Sequence, residues 1–187
     1  MNDKNFNLQS LKQKNYLIGH WQDLNILESN RKFLIKALSK NPILKNSLKH
    51  ETSDEKTLIH VRRGDYLKFK EELPISYYEK SIHLIKDKSK KIKFKVYTDD
   101  INWCKQQYIF KGAEDILTSS DSPEDTINTF GSMLKNSNFI IANSTFSLLA
   151  AHLGKKRNSI ITYPEPWFKF RNYNKNITDS TWERIGY

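Results

Sequence analysis

The amino-acid sequence predicts an α/β fold: a mainly parallel sheet with helices on both faces. Three observations predict it. Short apolar or β-branched runs, TLIHV (57–61), KFKVYT (93–98), NFIIAN (138–143) and SIITY (159–163), recur along the chain. The segments between them are of helix length and carry helix start signals, the alternation that builds parallel sheets. At 187 residues the chain suits one domain able to bury a continuous core.

Taken in order, residues 1–15 are polar and predict little order, and a short apolar segment, YLIGHW, follows. From Gln22 to Ser39 apolar residues recur at threes and fours (Leu24, Leu27, Phe33, Leu34, Ala37, Leu38), which predicts a helix. Pro42 opens a second short helix, and HETSDEK (50–56) is a polar break. The expected division is a helical lead-in over 1–55 and a sheet domain over 56–187. TLIHVRR reads as the first strand. Ser76 and Glu79 have capping-box spacing, so a helix is expected through YYEKSIHLIK. KFKVYT is a strand, Asp99-Asp100 suggests a metal site or, the favoured reading, a cap on a short helix through Trp103, and DILTS is a further strand. Ser122-Pro123-Glu124-Asp125 combines an N-cap, a proline at the first helical position and first-turn acids. NFIIAN is a buried strand, STFSLLAAHLG a helix stopped by Gly154, and SIITY a strand. In the mixed tail, Trp167 and Trp182 are expected to pin the chain onto the domain.

Composition narrows the partners. The net charge is +10, from 31 basic and 21 acidic residues, which implies anionic partners: nucleic acid, an anionic membrane face or a phosphorylated small molecule. No basic stripe interleaved with aromatics argues for nucleic acid, and the run Lys86–Lys95 reads as a solvated helix end. The lone Cys104 excludes an internal disulfide and a cysteine-type zinc cluster. No apolar stretch approaches the roughly 20 residues of a membrane span, and MNDKNFNLQS is not a signal peptide. A cytoplasmic protein, held to the inner membrane face by charge at most, is the expectation.

Ligands of parallel sheets bind beyond the carboxyl ends of the strands. Three unusual groups fall there: Arg62-Arg63-Gly64-Asp65, Asp99-Asp100 and Asn143-Ser144-Thr145. Arginine presents a fixed, always-charged fork suited to phosphate oxygens. Strand alternation puts His60 and Arg62 on one side and Arg63 on the other, so the two arginines do different jobs. Gly64 lets the chain turn, and Asp65 either holds an arginine or faces the ligand. A buried Arg-Asp pair that only stiffens the turn is the simpler reading of the same letters. Asn143-Ser144-Thr145 before a helix offers free N–H groups and hydroxyls to an anion, or merely a cap. There is no glycine-rich phosphate loop, and the histidines lack metal-ligand spacing, His83 reading as surface or packing on an amphipathic helix. Residue pattern alone reaches a domain for a phosphorylated ligand.

HVRRGDY (60–66), VYTDD (96–100) and FIIANSTFS (139–147), in this order and spacing, resemble the α-1,2-fucosyltransferases of glycosyltransferase family 11. YLIGHWQDLNIL looks like that family's Y-x-x-G-Y-W-Q-S lead-in, and PEPWF with STWERI matches its close, so the likeness spans residues 16–187. The resemblance implies the Rossmann-like donor-binding lobe of a GT-B fold and metal-free, inverting transfer of fucose from GDP-fucose to a galactoside 2-hydroxyl. It implies Arg62 on the pyrophosphate, with His60, Arg63, Gly64 and Asp100 supporting the nucleotide site. Asn143, Ser144, Thr145 and Phe146 would line the diphosphate and nucleoside end. Asp65 is left with two roles, the base for the acceptor hydroxyl or the orienter of an arginine. Three features depart from the family. The G-G-L-G-N-Q segment and about half a chain are absent, SFSWWGAW appears as TFSLLAAHL, and Thr129 stands at the guanine-reading position in place of an acid. The expected partners are GDP-fucose and a galactose-terminated glycan, with a second polypeptide supplying the other lobe. A fragment that binds the nucleotide sugar without transferring it is the alternative.

Overall fold

The computed structural model describes residues 22–49, 56–89, 92–118 and 122–187. The polar start, most of the YLIGHWQ motif, His20, His50 and the HETSDEK break up to Glu55 lie outside these. Two helices come first, α1 (Leu24–Leu38) and α2 (Pro42–Lys49). The remainder alternates: β1 (Lys56–Val61), α3 (Tyr66–Phe69), α4 (Ile75–Lys88), β2 (Lys93–Thr98), α5 (Ile101–Gln106), β3 (Asp115–Leu117), α6 (Pro123–Leu134), β4 (Asn138–Ile140), α7 (Thr145–Gly154), β5 (Ile161–Glu165) and β6 (Glu183–Gly186).

The six strands form one sheet in the order β3-β2-β1-β4-β5-β6, and every adjacent pair is parallel. This is the doubly wound, Rossmann-like arrangement. The chain builds outward from β1 through β2 to β3, then returns to add β4 on the other side. The connections leaving β1 and β4 therefore diverge, opening a crevice at the carboxyl edge.

Both faces are covered, and the pleat decides which residue goes where. On one face Ile59, Val61, Val96 and Ile140 pack against Tyr77, Tyr78, Ile82 and Ile85 of α4 and Cys104 of α5. On the other, Leu58, Tyr97, Phe139, Ile141 and Ile161 meet Leu148 and Ala151 of α7, Met133 of α6 and Leu27 of α1. Trp167 and Trp182 are buried in this second cluster, so both do pin the tail. Each such burial removes a large apolar side chain from water, worth about 1.5–3 kcal/mol.

Three local expectations are corrected. The capping box at Ser76 and Glu79 does not form: α4 starts two residues earlier, at Ile75, with Pro74 at the N-cap and no side-chain cap. Pro74 has no N–H to satisfy and its fixed φ of -70° suits the entry, so Ser76 falls inside the helix. Gly154 is the last residue of α7 rather than a left-handed stop. A Cβ there would lie 2.9 Å from the Leu134 carbonyl oxygen, so its smallness serves the close approach of α7 to the end of α6. The tail also supplies a strand not foreseen, β6, which pairs with β5 from Thr162–Glu183 to Glu165–Gly186.

Candidate active site

The chain leaving β1 builds the first wall of the crevice. Arg63 points to the α5 side, where its Nε donates to Asp100 Oδ2 at 3.0 Å and its guanidinium lies 4.0 Å from the centre of the Trp103 ring. Asp100 is also the N-cap of α5, accepting the Trp103 N–H at 3.0 Å. Arg63 and Asp100 thus tie β1 to α5, and neither lines the crevice cavity.

Arg62 points the other way, into a cavity of about 410 Å³. Its Nη2 donates to Asp65 Oδ1 at 2.6 Å, and its Nη1 lies 3.0 Å from Asp99 Oδ2. The other oxygen of Asp99 accepts the Arg63 backbone N–H at 2.8 Å. One carboxylate therefore grips both the backbone turn and the guanidinium. Gly64 makes this possible by its size: a Cβ there would sit 2.7 Å from Asp99 Oδ2. Its backbone is not left-handed, so room is what the position demands.

The second wall is the start of α7. Ser144 is its N-cap, accepting the Phe146 N–H, and the first-turn N–H groups carry the positive end of the helix dipole. Asn143 is fully buried; its Nδ2 donates to the Glu71 carbonyl at 2.8 Å, and its own carbonyl accepts the Tyr66 hydroxyl at 2.8 Å. Thr145 Oγ1 accepts from Gln22 Nε2 at 2.6 Å. Phe146 sits between His60 and Phe130, with ring centres 6.2 and 5.2 Å away. Burial, aided by the Arg62 charge, pulls the His60 imidazole down to about 3, so it stands neutral in the wall, its Nδ1 unpartnered.

The structure thus brings His60, Arg62, Asp65, Ser144, Thr145 and Phe146 around one cavity, with Thr129 on its rim, and sets Asn143 behind them. Sequence reasoning missed the third wall. Arg171 lines the cavity from the tail, its guanidinium 4.2 Å from the Phe168 ring centre. Arg62 and Arg171 both lie against Tyr66, at 5.7 and 5.8 Å from its ring centre. Glu71 holds this segment in place. Its wholly buried carboxylate accepts the N–H groups of Lys169 at 2.6 Å and Phe170 at 3.1 Å, and pairs with Arg171 Nε at 3.4 Å. The only sequence signal was an arginine set among aromatics in WFKFRNY. Burial pushes the Tyr66 phenol up, against the opposing pull of the two arginines. Among the described residues, no cluster of three acids, histidines or cysteines is arranged to hold a metal ion.

A cradle of arginine and helix N-terminus at the switch point of a parallel sheet suits a phosphorylated ligand. The profile of Glycosyl transferase family 11 matches residues 1–185. The chain belongs to glycosyltransferase family 11. An O-antigen biosynthesis glycosyltransferase of Escherichia coli, WbnK, is 30% identical over 178 residues, covering 88% of this chain and 59% of that protein. An alpha-1,2-colitosyltransferase of Escherichia coli is 30% identical over 191 residues, covering 94% of this chain and 64% of that protein. The chain therefore spans less than two thirds of the length of these family 11 relatives. No solved structure matches. No helix among the described residues is long and apolar enough to cross a membrane.

Proposed function

We propose that this family 11 chain binds GDP-fucose in the crevice and transfers L-fucose, with inversion, to the 2-hydroxyl of a galactoside. The observation that carries the reading is the Arg62 guanidinium, held by Asp65 and Asp99 and facing a cavity shared with the start of α7. Loss of GDP leaves growing negative charge on the diphosphate, and preoriented donors in a partly dry site stabilise such charge best. Arg62 supplies the fork for that charge, the first N–H groups of α7 and the Ser144 and Thr145 hydroxyls supply further donors, and Arg171 stands across Tyr66 as a second cation. His60, being neutral, adds no charge; with Phe146 it forms a wall for the nucleoside. Asp65 is assigned to holding Arg62 until the donor arrives, the role its 2.6 Å contact supports, and Asp99 to keeping the guanidinium aimed at the crevice. The relatives' names favour a bacterial surface glycan, here one ending in galactose, as acceptor, and colitose as the sugar to test beside fucose. A second polypeptide is proposed to complete the acceptor side.

Calorimetry with GDP and transfer of labelled fucose to lactose test this reading. Wild type is expected to bind GDP, and Arg62→Ala to abolish binding. Arg62→Lys should weaken it by about tenfold or more, because a point charge cannot reproduce the bidentate fork. Binding without transfer would reduce the chain to a donor-binding unit. Unchanged affinity in Arg62→Lys would make Arg62 a structural residue, and no GDP binding at all would refute the reading.

A further inference from the structure

The opposite edge of the sheet carries a second hollow, about 350 Å³, lined by Arg31, Lys155, Lys156, Arg157, Ser159 and Trp182 among others. It lies where the chain enters β5 and β6, at the amino ends of the strands, whereas the crevice lies at their carboxyl ends. Four cations surround this one hollow, and among the described residues no carboxylate lines it.

Arg31 and Lys155 are held there by contacts within the fold. Arg31, on α1, donates from Nε and Nη2 to the carbonyls of His152 and Leu153, the open end of α7, at 3.4 and 3.2 Å. A guanidinium so tethered keeps other N–H groups for a ligand. Lys155 is fixed by Glu28 at 3.0 Å and Asp179 at 3.1 Å, with its ammonium 5.9 Å from the Trp182 ring centre. Both of these acids are thereby engaged with Lys155. Neither Arg31 nor Arg157 makes an ion pair among the described residues. Ser159 Oγ accepts the Lys156 N–H at 2.8 Å and pins the turn that presents Arg157. Cations ordered before a ligand arrives lose little further freedom on binding it.

We propose that this hollow is a binding site for a phosphoryl group, with Arg31 and Arg157 as its principal contacts and the Trp182 ring as an apolar flank. An arginine fork matches phosphate oxygens bidentately, and two of them converge on a space of suitable size. The same chemistry is offered by free phosphate and by the headgroup of an anionic lipid.

The test uses the whole chain and two probes: inorganic phosphate in calorimetry, and sedimentation with phosphatidylcholine vesicles with and without phosphatidylglycerol. Arg157→Glu reverses a charge in the hollow; Lys105→Glu, on the exposed face of α5 at the far side of the sheet, makes the same change in net charge elsewhere. Wild type is expected to bind one probe, Arg157→Glu to weaken it by about tenfold or more, and Lys105→Glu to stay within about twofold. Heat with phosphate would assign a free phosphate; sedimentation only with anionic vesicles would assign a lipid headgroup. Equal losses in both variants would mean net charge alone and overturn the site. So would no binding of either probe, or an unaffected Arg157→Glu. A parallel GDP titration reports on the donor crevice, so the two readings fail separately.

Discussion

Gly64→Ala is the sharpest test of how the crevice is built. The added Cβ would lie 2.7 Å from Asp99 Oδ2 and 3.4 Å from Asp99 Cγ. Carbon and oxygen atoms in ordinary contact stay about 3.3 Å or more apart, so something must yield by roughly 0.6 Å. The carboxylate is poorly free to do so, since one oxygen holds Arg62 at 3.0 Å and the other the Arg63 N–H at 2.8 Å. Overpacking of this kind costs about 1–3 kcal/mol, and loss of the half-exposed charge-assisted contact adds about 1 kcal/mol or less. A destabilisation of about 2 kcal/mol is expected, or a Tm lower by roughly 4–8 °C at this chain length. Urea denaturation gives the figure. In an Asp99→Ala background the clash is gone, so adding Gly64→Ala should cost under about 0.5 kcal/mol, a coupling of about 1.5 kcal/mol. Additive losses would refute the claim that Gly64 exists to make room for Asp99.

Three further outcomes are expected. The neutral, buried His60 titrates at about 3 when folded and near 6.5 when unfolded, so its contribution is complete above 6.5 and is lost as the pH falls towards 3. Between pH 7.5 and 5.5 the loss should be about 1.4 kcal/mol greater in wild type than in His60→Gln, and equal losses by urea denaturation would count against a buried neutral imidazole. Glu71→Gln leaves the N–H groups of Lys169 and Phe170 facing an amide; it should cost about 2–3 kcal/mol and weaken GDP binding, whereas Arg171→Ala, which removes the half-exposed partner of Glu71, should weaken GDP binding with a smaller loss of Tm. Equal Tm in Glu71→Gln and wild type would show that the carboxylate does not hold the tail. EDTA should leave GDP affinity unaltered, and a loss restored by a divalent cation would overturn the metal-free expectation.

The centre of the sheet was legible because β1 and β4 are buried on both faces and run into polar residues at their carboxyl ends, so the apolar runs and the carboxyl-edge rule suffice. Alternation in β1 was likewise enough to separate Arg62 from Arg63. Contacts between distant segments were not legible. Asp99-Asp100 read as a cap, and Asp100 is one; Asp99 does a tertiary job that only the packing of β1 beside β2 creates. Glu71 and Arg171 are a hundred residues apart, and neither has a local pattern until the tail folds back over α3. β6 has little apolar alternation and exists because β5 offers it an edge. Gly154 carried a helix-stop signal, but its neighbours across the interface decide its role.

The adjacent arginines show how one register step divides labour. Arg63 is consumed in structure: Asp100 neutralises it, Trp103 stacks on it, and its side chain is only 16% exposed. Arg62 has two carboxylates of unequal hold. Asp99 is 25% exposed and anchored by the Arg63 N–H as well, whereas Asp65 is 51% exposed and meets Arg62 through one oxygen. Water screens the more exposed pair, so that pair is the easier to exchange. On the donor-binding reading, an arriving diphosphate displaces Asp65 while Asp99 keeps the guanidinium aimed at the crevice. Binding then replaces one exposed anion by another that carries more charge, and the fork need not reorient. A residue held only by Asp65 would swing with it, and one held as tightly as Arg63 could not turn to a ligand. Arg62 lies between those limits, which is the physical ground for placing the leaving diphosphate there.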